Sequence, residues 1–189
     1  GAQWVRFPGG LNIPAQIELV YAAHHDGLLF RWNEKRGLRL WVESTPEIST
    51  LRPMEAGKDG FYAVAQTTRQ LVSLSSQGEI SEVLADRVGD QRINRPNDLR
   101  VNPSDGSVWI TDPNFLFRLR KLEKQELPGQ YVLQYDPTTE QLTAPIKSLE
   151  LPNGIAFDRG GKTLFIGDSR QRKRSEEHTS ELQSRPHLV

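Results

Sequence analysis

Asp59-Gly60-Phe61-Tyr62-Ala63-Val64-Ala65-Gln66 can be laid on Asp105-Gly106-Ser107-Val108-Trp109-Ile110-Thr111-Asp112, and both on Gly161-Lys162-Thr163-Leu164-Phe165-Ile166-Gly167-Asp168. Each stretch is a Gly-containing turn that runs into a short apolar strand. A second strand follows in each case: Leu28–Trp32, Leu71–Leu74 and Tyr131–Tyr135. After a polar turn comes a third, at Leu38–Val42, Ile80–Leu84 and Gln141–Thr143. Short strands punctuated by turns are the signature of antiparallel sheet, and a fixed internal period is the signature of a repeat architecture.

With His24, Gln66, Asp112 and Asp168 taken as equivalent positions, the steps are 42, 46 and 56 residues, the last enlarged by an insertion around Phe115 to Gly129. Units of about 40–50 residues that cannot bury both faces alone are the pattern of a β-propeller. A β-sandwich has strands of the same length but requires no repeat. The fold expected is therefore all-β, a partial β-propeller with about three and a half blades present. Within the insertion, Arg118–Glu126 is charged enough to be a short surface helix or loop.

Composition excludes several partners. Lys and Arg number 24 against 24 Asp and Glu, which leaves no net charge from which to argue a nucleic-acid or membrane partner. No apolar run approaches the roughly 18 residues of a spanning helix. The chain reads as soluble, with its compartment open. Cys is absent, so disulfides, thiolate metal sites and a Cys nucleophile are excluded together.

Two loops carry the candidate chemistry, Asn94-Arg95-Pro96-Asn97-Asp98-Leu99 and Leu151-Pro152-Asn153-Gly154-Ile155-Ala156. In both, a Pro-Asn pair precedes an expected strand, and Asn97 and Asn153 are 56 residues apart, the step that separates Asp112 from Asp168. They occupy one register in consecutive repeats. An Asn carbonyl oxygen suits a hard divalent cation such as Ca²⁺ or Mg²⁺. The alternative is that each Asn closes an Asx-type turn on its own backbone. His24 and His25 are adjacent, so on a strand they point to opposite faces and do not easily share one ion.

Arg95-Pro96-Asn97-Asp98, Ser104 to Pro113, Leu151 to Phe157 and Gly161 to Phe165 resemble, in order and spacing, the gluconolactonase/regucalcin (senescence marker protein) family. The resemblance covers about Gly1 to Ser169 and is weakest before Asp59. It implies a six-bladed propeller with one divalent cation at the top of its channel, Ca²⁺ first, with Zn²⁺, Mn²⁺ or Mg²⁺ as the others. It also implies hydrolysis of sugar lactones or related esters. Carried over, Asn153 resembles the metal-binding Asn of a Pro-Asn-Gly motif, and Asn97 an Asn that lines the same site, on the substrate or on the metal. Arg95 resembles an Arg that holds substrate oxygens, with a surface salt bridge as its alternative. Asp98 reads as a group that orients its loop, and Asp112 and Asp168 as structural.

The family's two metal-binding carboxylates have no counterpart among these residues. Gly1-Ala2-Gln3-Trp4 resembles the residues just after the family's Glu, and the Asp that doubles as general base is expected beyond Ser169. No catalytic residue is therefore assigned, and these 189 residues are expected to be inactive. Arg174-Ser175-Glu176-Glu177-His178-Thr179-Ser180-Glu181-Leu182-Gln183-Ser184 is similar to the translation of a common short-read sequencing adapter. The expected organisation is a propeller portion over 1–173 and a non-native tail over 174–189. Competing readings are a propeller that only binds, a phosphotriesterase-type hydrolase, and a metal-free synthase on the same scaffold.

Overall fold

The computed structural model describes residues 3–7, 16–23, 26–43, 45–54, 58–115, 125–170 and 173–178. His24 and His25 lie outside them, as do residues 116–124 of the insertion. Every sheet is antiparallel, and the chain divides into two compact units, Gly1–Leu84 and Ala85–Val189.

The first unit holds two four-stranded meanders. One is β1 (Gln3–Phe7), β2 (Gln16–Ala23), β3 (Leu28–Asn33) and β4 (Gly37–Val42). The next is β5 (Ile48–Pro53), β6 (Phe61–Ala65), β7 (Gln70–Leu74) and β8 (Ile80–Ala85). They pack through Val5, Phe7, Val20, Ala22 and Leu29 against Leu51, Phe61 and Ala63. Phe7, Trp41 and Phe61 meet there, Trp41 standing edge-on to each of the other two at 5.6 Å. Strand β6 is buried along its whole length, as expected of a strand covered on both faces.

The second unit begins with a two-stranded ribbon, β9 (Arg87–Val88) and β10 (Gln91–Arg92). A four-stranded sheet follows: β11 (Leu99–Val101), β12 (Val108–Asp112), β13 (Tyr131–Asp136) and β14 (Gln141–Ile146). The last sheet has β15 (Pro152–Phe157), β16 (Thr163–Asp168) and β17 (Lys173–His178). Trp109, Val132, Ile146, Ile155, Leu164 and Ile166 form the core between these two sheets. The indole of Trp109 is buried, and its Nε1–H donates to Ser107 Oγ at 2.9 Å.

The strands placed by the repeat are all found. One boundary differs from expectation. The Pro152-Asn153 pair does not precede its strand but opens it: Pro152 pairs with Asp168 and Ile155 with Ile166, so the Asn153–Gly154 step carries one extra residue. That is a β-bulge, a device that re-aims a side chain. Lys173–His178 lacks strand alternation in sequence, yet its backbone pairs along β16. Ladder bonds are main-chain bonds, so any run without Pro can supply them.

Between β15 and β16 the turn is held by Asp158, whose Oδ1 accepts the N–H groups of Lys162 and Thr163. Gly161 completes it at φ +69°, and a Cβ there would lie 2.1 Å from Asn102 Oδ1 in the equivalent turn of the preceding sheet. Both the dihedral and the close approach require glycine.

A polar cluster sits on the inner side of the first sheet. Glu18 is fully buried and receives Arg31 Nε, Arg39 Nη2 at 2.6 Å and Asn33 Nδ2 at 2.6 Å. Burial by itself would raise the Glu18 pKa; the hydrogen bonds from Arg31, Arg39 and Asn33 and the Arg31 charge outweigh it and hold the carboxyl below its usual value. A depressed folded-state pKa gives stability that is complete above the unfolded value of about 4.3 and is lost as pH falls through the folded value. Glu18→Gln should therefore lower unfolding free energy at pH 7 by about 2–4 kcal/mol, and the gap to wild type should shrink below about pH 4. A gap in urea unfolding that is unchanged from pH 7 to pH 3 would contradict this.

Candidate active site

The two Pro-Asn loops lie side by side in the second unit, and Thr111 of β12 joins them. The Asn97 N–H donates to the Thr111 carbonyl at 2.8 Å, and the Thr111 N–H donates to the Asp98 carbonyl at 2.9 Å. The Thr111 hydroxyl accepts the Asp98 N–H at 3.1 Å and donates to the Asn153 carbonyl at 2.6 Å. Thr111, itself buried, thus holds the backbone of both candidate Asn residues, Asn97 through its main-chain carbonyl and Asn153 through its hydroxyl.

Asp98 makes a second tie. Its Oδ1 accepts from the Leu99 N–H at 2.9 Å and from Arg100 Nη1 at 2.8 Å, while Oδ2 accepts the Ile155 N–H at 3.4 Å. The carboxylate is spent on its own strand and on β15, which is the loop-orienting role the motif suggests.

Behind the loops, Asp112 and Asp168 repeat one contact. Asp112 Oδ2 accepts the Asn94 N–H at 2.7 Å, and Asp168 Oδ2 accepts the Glu150 N–H at 2.8 Å. Asp168 Oδ1 takes the N–H groups of Leu151 and Arg170 as well. Both aspartates are buried. Each holds the start of a Pro-Asn loop against the end of the neighbouring strand, a structural task that satisfies orphan backbone donors.

Asn153 is half-buried, and its Nδ2 donates to Ser169 Oγ at 3.0 Å. Because the amide nitrogen faces Ser169, the carbonyl Oδ1 is turned the other way. Ser169 is itself fixed by its N–H donating to the Leu151 carbonyl at 3.0 Å. Arg95 and Asn97 are half-buried in the first loop, two residues apart. The structure therefore brings Asn97 and Asn153 to one residue and sets Arg95 in the same loop.

Thr111 and Ser169 are the residues that sequence reasoning missed. The 56-residue step places Thr111 on Gly167 and Pro113 on Ser169, so each is a departure from the repeat. Amide carbonyls are hard, neutral oxygen donors, and the Asn153 amide is already oriented, so this pair fits part of the shell of a divalent cation. Among the described residues no group of three or more His, Cys, Asp or Glu could hold a metal ion.

Antiparallel sheets of three or four strands repeated along the chain, with a Pro-Asn loop at one register in two of them, are the elements of a β-propeller. The chain belongs to the SMP-30/gluconolactonase/LRE-like family, whose model matches residues 13–184. Among solved structures, a gluconolactonase from Xanthomonas campestris is 23% identical with a TM-score of 0.77, covering 86% of this chain and 55% of that one. A regucalcin from Agrobacterium tumefaciens, described as a calcium-binding protein, is 17% identical with a TM-score of 0.65, covering 91% and 53%. At such identities the likeness is one of fold, and it makes this chain part of an all-β, six-bladed propeller. Strictosidine synthase-like 7 from Arabidopsis thaliana is 25% identical over 96% of this chain and 51% of its own length. The chain spans about half or less of the curated relatives it matches. Among the described residues no helix is long and apolar enough to cross a membrane.

Thr111→Val removes the hydroxyl and leaves the Asp98 N–H without its acceptor, and should cost about 1–3 kcal/mol in urea unfolding. Thr111→Ser keeps the hydroxyl and loses one methyl, and should cost about 1 kcal/mol or less. Equal losses for the two variants would show that the methyl, not the hydrogen bonds, carries the site.

Proposed function

We propose that this chain is part of a metal-dependent hydrolase of sugar lactones. The observation that supports the reading is the Thr111 bridge, which ties the backbones of Asn97 and Asn153, at one repeat register, to a single residue. Two amides so placed, beside an Arg, are more than a propeller used only for binding requires.

In this reading Asn153 holds a divalent cation through Oδ1, with Ser169 keeping the amide nitrogen away from it. Asn97 lines the same position and contacts either the cation or the substrate. A planar guanidinium offers several fixed donors, so Arg95 holds the ring oxygens of a neutral, hydroxyl-rich lactone. When bound, the cation supplies Lewis-acid polarisation of the lactone carbonyl, an effect worth on the order of several kcal/mol. Water adds to that carbonyl and the acyl C–O bond opens, leaving a hydroxy acid. Ca²⁺ is the first candidate, ahead of Zn²⁺, Mn²⁺ and Mg²⁺, and the family resemblance to regucalcin supports it.

Neutral amides do not hold a divalent ion firmly without carboxylates beside them. The 189 residues alone are therefore proposed to be inactive. A second reading, a strictosidine-synthase-like protein on the same scaffold, is favoured by the curated relatives' names.

The test is an assay on gluconolactone and on an organophosphate, with and without chelator. It compares the 189-residue chain with a polypeptide extended to the full length of the solved neighbours. The extended protein should turn over gluconolactone, lose activity to chelator, and lose about 100-fold or more in kcat/KM on Asn153→Ala, as when a preorganised charge-stabilising group is removed. The short chain should show none. Chelator-insensitive turnover, or turnover by the short chain, would overturn the reading, and activity on neither substrate would favour the synthase-like or binding alternatives.

A further inference from the structure

We infer that Asn153–Gly154 is a site of self-modification, at which the Asn153 side chain cyclises onto the Gly154 nitrogen and loses its amide as ammonia. Asparagine is among the chemically labile residues. Its loss proceeds by attack of the next residue's main-chain nitrogen on Cγ, and a side chain on that next residue hinders the approach. The chain has seven Asn, followed in order by Ile, Glu, Arg, Asp, Pro, Phe and Gly, so Asn153 alone has a successor without a side chain.

In a regular strand the ladder would hold this step extended and keep the two groups apart. Strand β15 is irregular here. Pro152 pairs with Asp168 and Ile155 with Ile166, which leaves Asn153 and Gly154 together opposite Gly167. A bulge disrupts the ladder locally and bends the strand that carries it. Two of the three residues that meet at this point are glycines, so neither strand adds a Cβ that resists the adjustment. The departing group also has a partner. Asn153 Nδ2 donates to Ser169 Oγ at 3.0 Å, so the nitrogen that leaves already faces a hydroxyl able to hydrogen-bond it. These contacts all fall within residues 152–169, and a longer chain keeps them.

The other amides of this unit are placed differently. Asn97 is followed by Asp98, whose N–H is spent on Thr111 Oγ1 at 3.1 Å. Asn94 is fully buried, with Nδ2 donating to the Asp112 and Gly129 carbonyls. Asn102 precedes Pro103, which has no N–H to lose.

The step balances with water as its one co-reactant. The bond from Gly154 N to Asn153 Cγ forms, the Cγ–Nδ2 bond breaks, and the Gly154 amide proton leaves on Nδ2 as ammonia, which gives a cyclic imide. Water then opens the ring. Addition at Cγ gives aspartate, and addition at the Asn153 main-chain carbon gives isoaspartate, whose backbone is longer by a methylene. Either product carries a carboxylate where Asn153 carried a neutral amide. Cyclisation rests on the bulge, whereas its effect on a bound cation rests on the function proposed above.

Peptide mapping by mass spectrometry tests this on the extended polypeptide of the activity assay, incubated folded at neutral pH and, in parallel, unfolded in guanidinium chloride. In the folded protein Asn153 should lose ammonia and then take up water ahead of every other Asn. Its rate should lie within about tenfold of the unfolded rate, because a disrupted ladder protects little. Gly154→Ala should slow the reaction about tenfold or more, since a Cβ restricts the approach. Among the described residues that Cβ would meet nothing within 4 Å. Should the variant still fail to fold, the folded and unfolded rates of the wild type decide alone. A folded rate more than about tenfold below the unfolded one, or a Gly154→Ala rate equal to wild type, would overturn the inference. Neither readout involves turnover, so lactonase activity can fail while this stands, and the reverse.

Discussion

The hydroxyl of Thr111 stands between two backbones that belong to different sheets. It accepts from the Asp98 N–H on one side and donates to the Asn153 carbonyl on the other. Without it, the packing of β12 on β15 would still bury Trp109, Ile155 and Ile166. Apolar burial is non-directional, however, and tolerates small slips that a hydrogen bond of 2.6 Å does not. Positional accuracy for Asn97 and Asn153 therefore comes from this contact and from the Asp98 carboxylate beside it, while the core supplies the stability that makes both possible.

The same division of labour appears behind the loops. Asp112 and Asp168 are carboxylates at strand ends in a sequence that resembles a metal-dependent family, and they invite a ligand role. Their oxygens are directed at backbone N–H groups of the loop starts. Each of these two blades thus uses one acid to anchor its loop. Such an arrangement keeps the amide positions stiff, which lowers the reorganisation a bound ion or substrate would require.

Much of this was legible in the sequence. The turn-and-strand stretches at 59–66, 105–112 and 161–168 placed three strands correctly because a turn Gly followed by a short apolar run is a local signal. The 56-residue register of Asn97 and Asn153 was equally visible. The role of Thr111 could not be read, because it depends on how close β12 comes to β15, a tertiary distance with no local signature. The start of β15 was placed two residues late for a similar reason: the Pro suggested a loop, and the Gly after the Asn instead lets an extra residue enter the strand as a bulge. The buried carboxylate of the first sheet is also in the local pattern, since Glu18 sits in phase with the buried Val20 and Ala22, while Ile17, Leu19 and Tyr21 lie out of phase with them.

Whether the two loops behave as one unit is measured most directly by a double-mutant cycle in urea unfolding, combining Thr111→Val with Asp98→Ala. Both side chains tie the first loop to β15, by separate bonds to Asn153 and Ile155. If they hold one shared geometry, the two losses are non-additive, with a coupling of about 1 kcal/mol. Additivity to within about 0.3 kcal/mol would contradict the account, because it would mean that the two loops are positioned independently and that the pairing of Asn97 with Asn153 is not built into the fold.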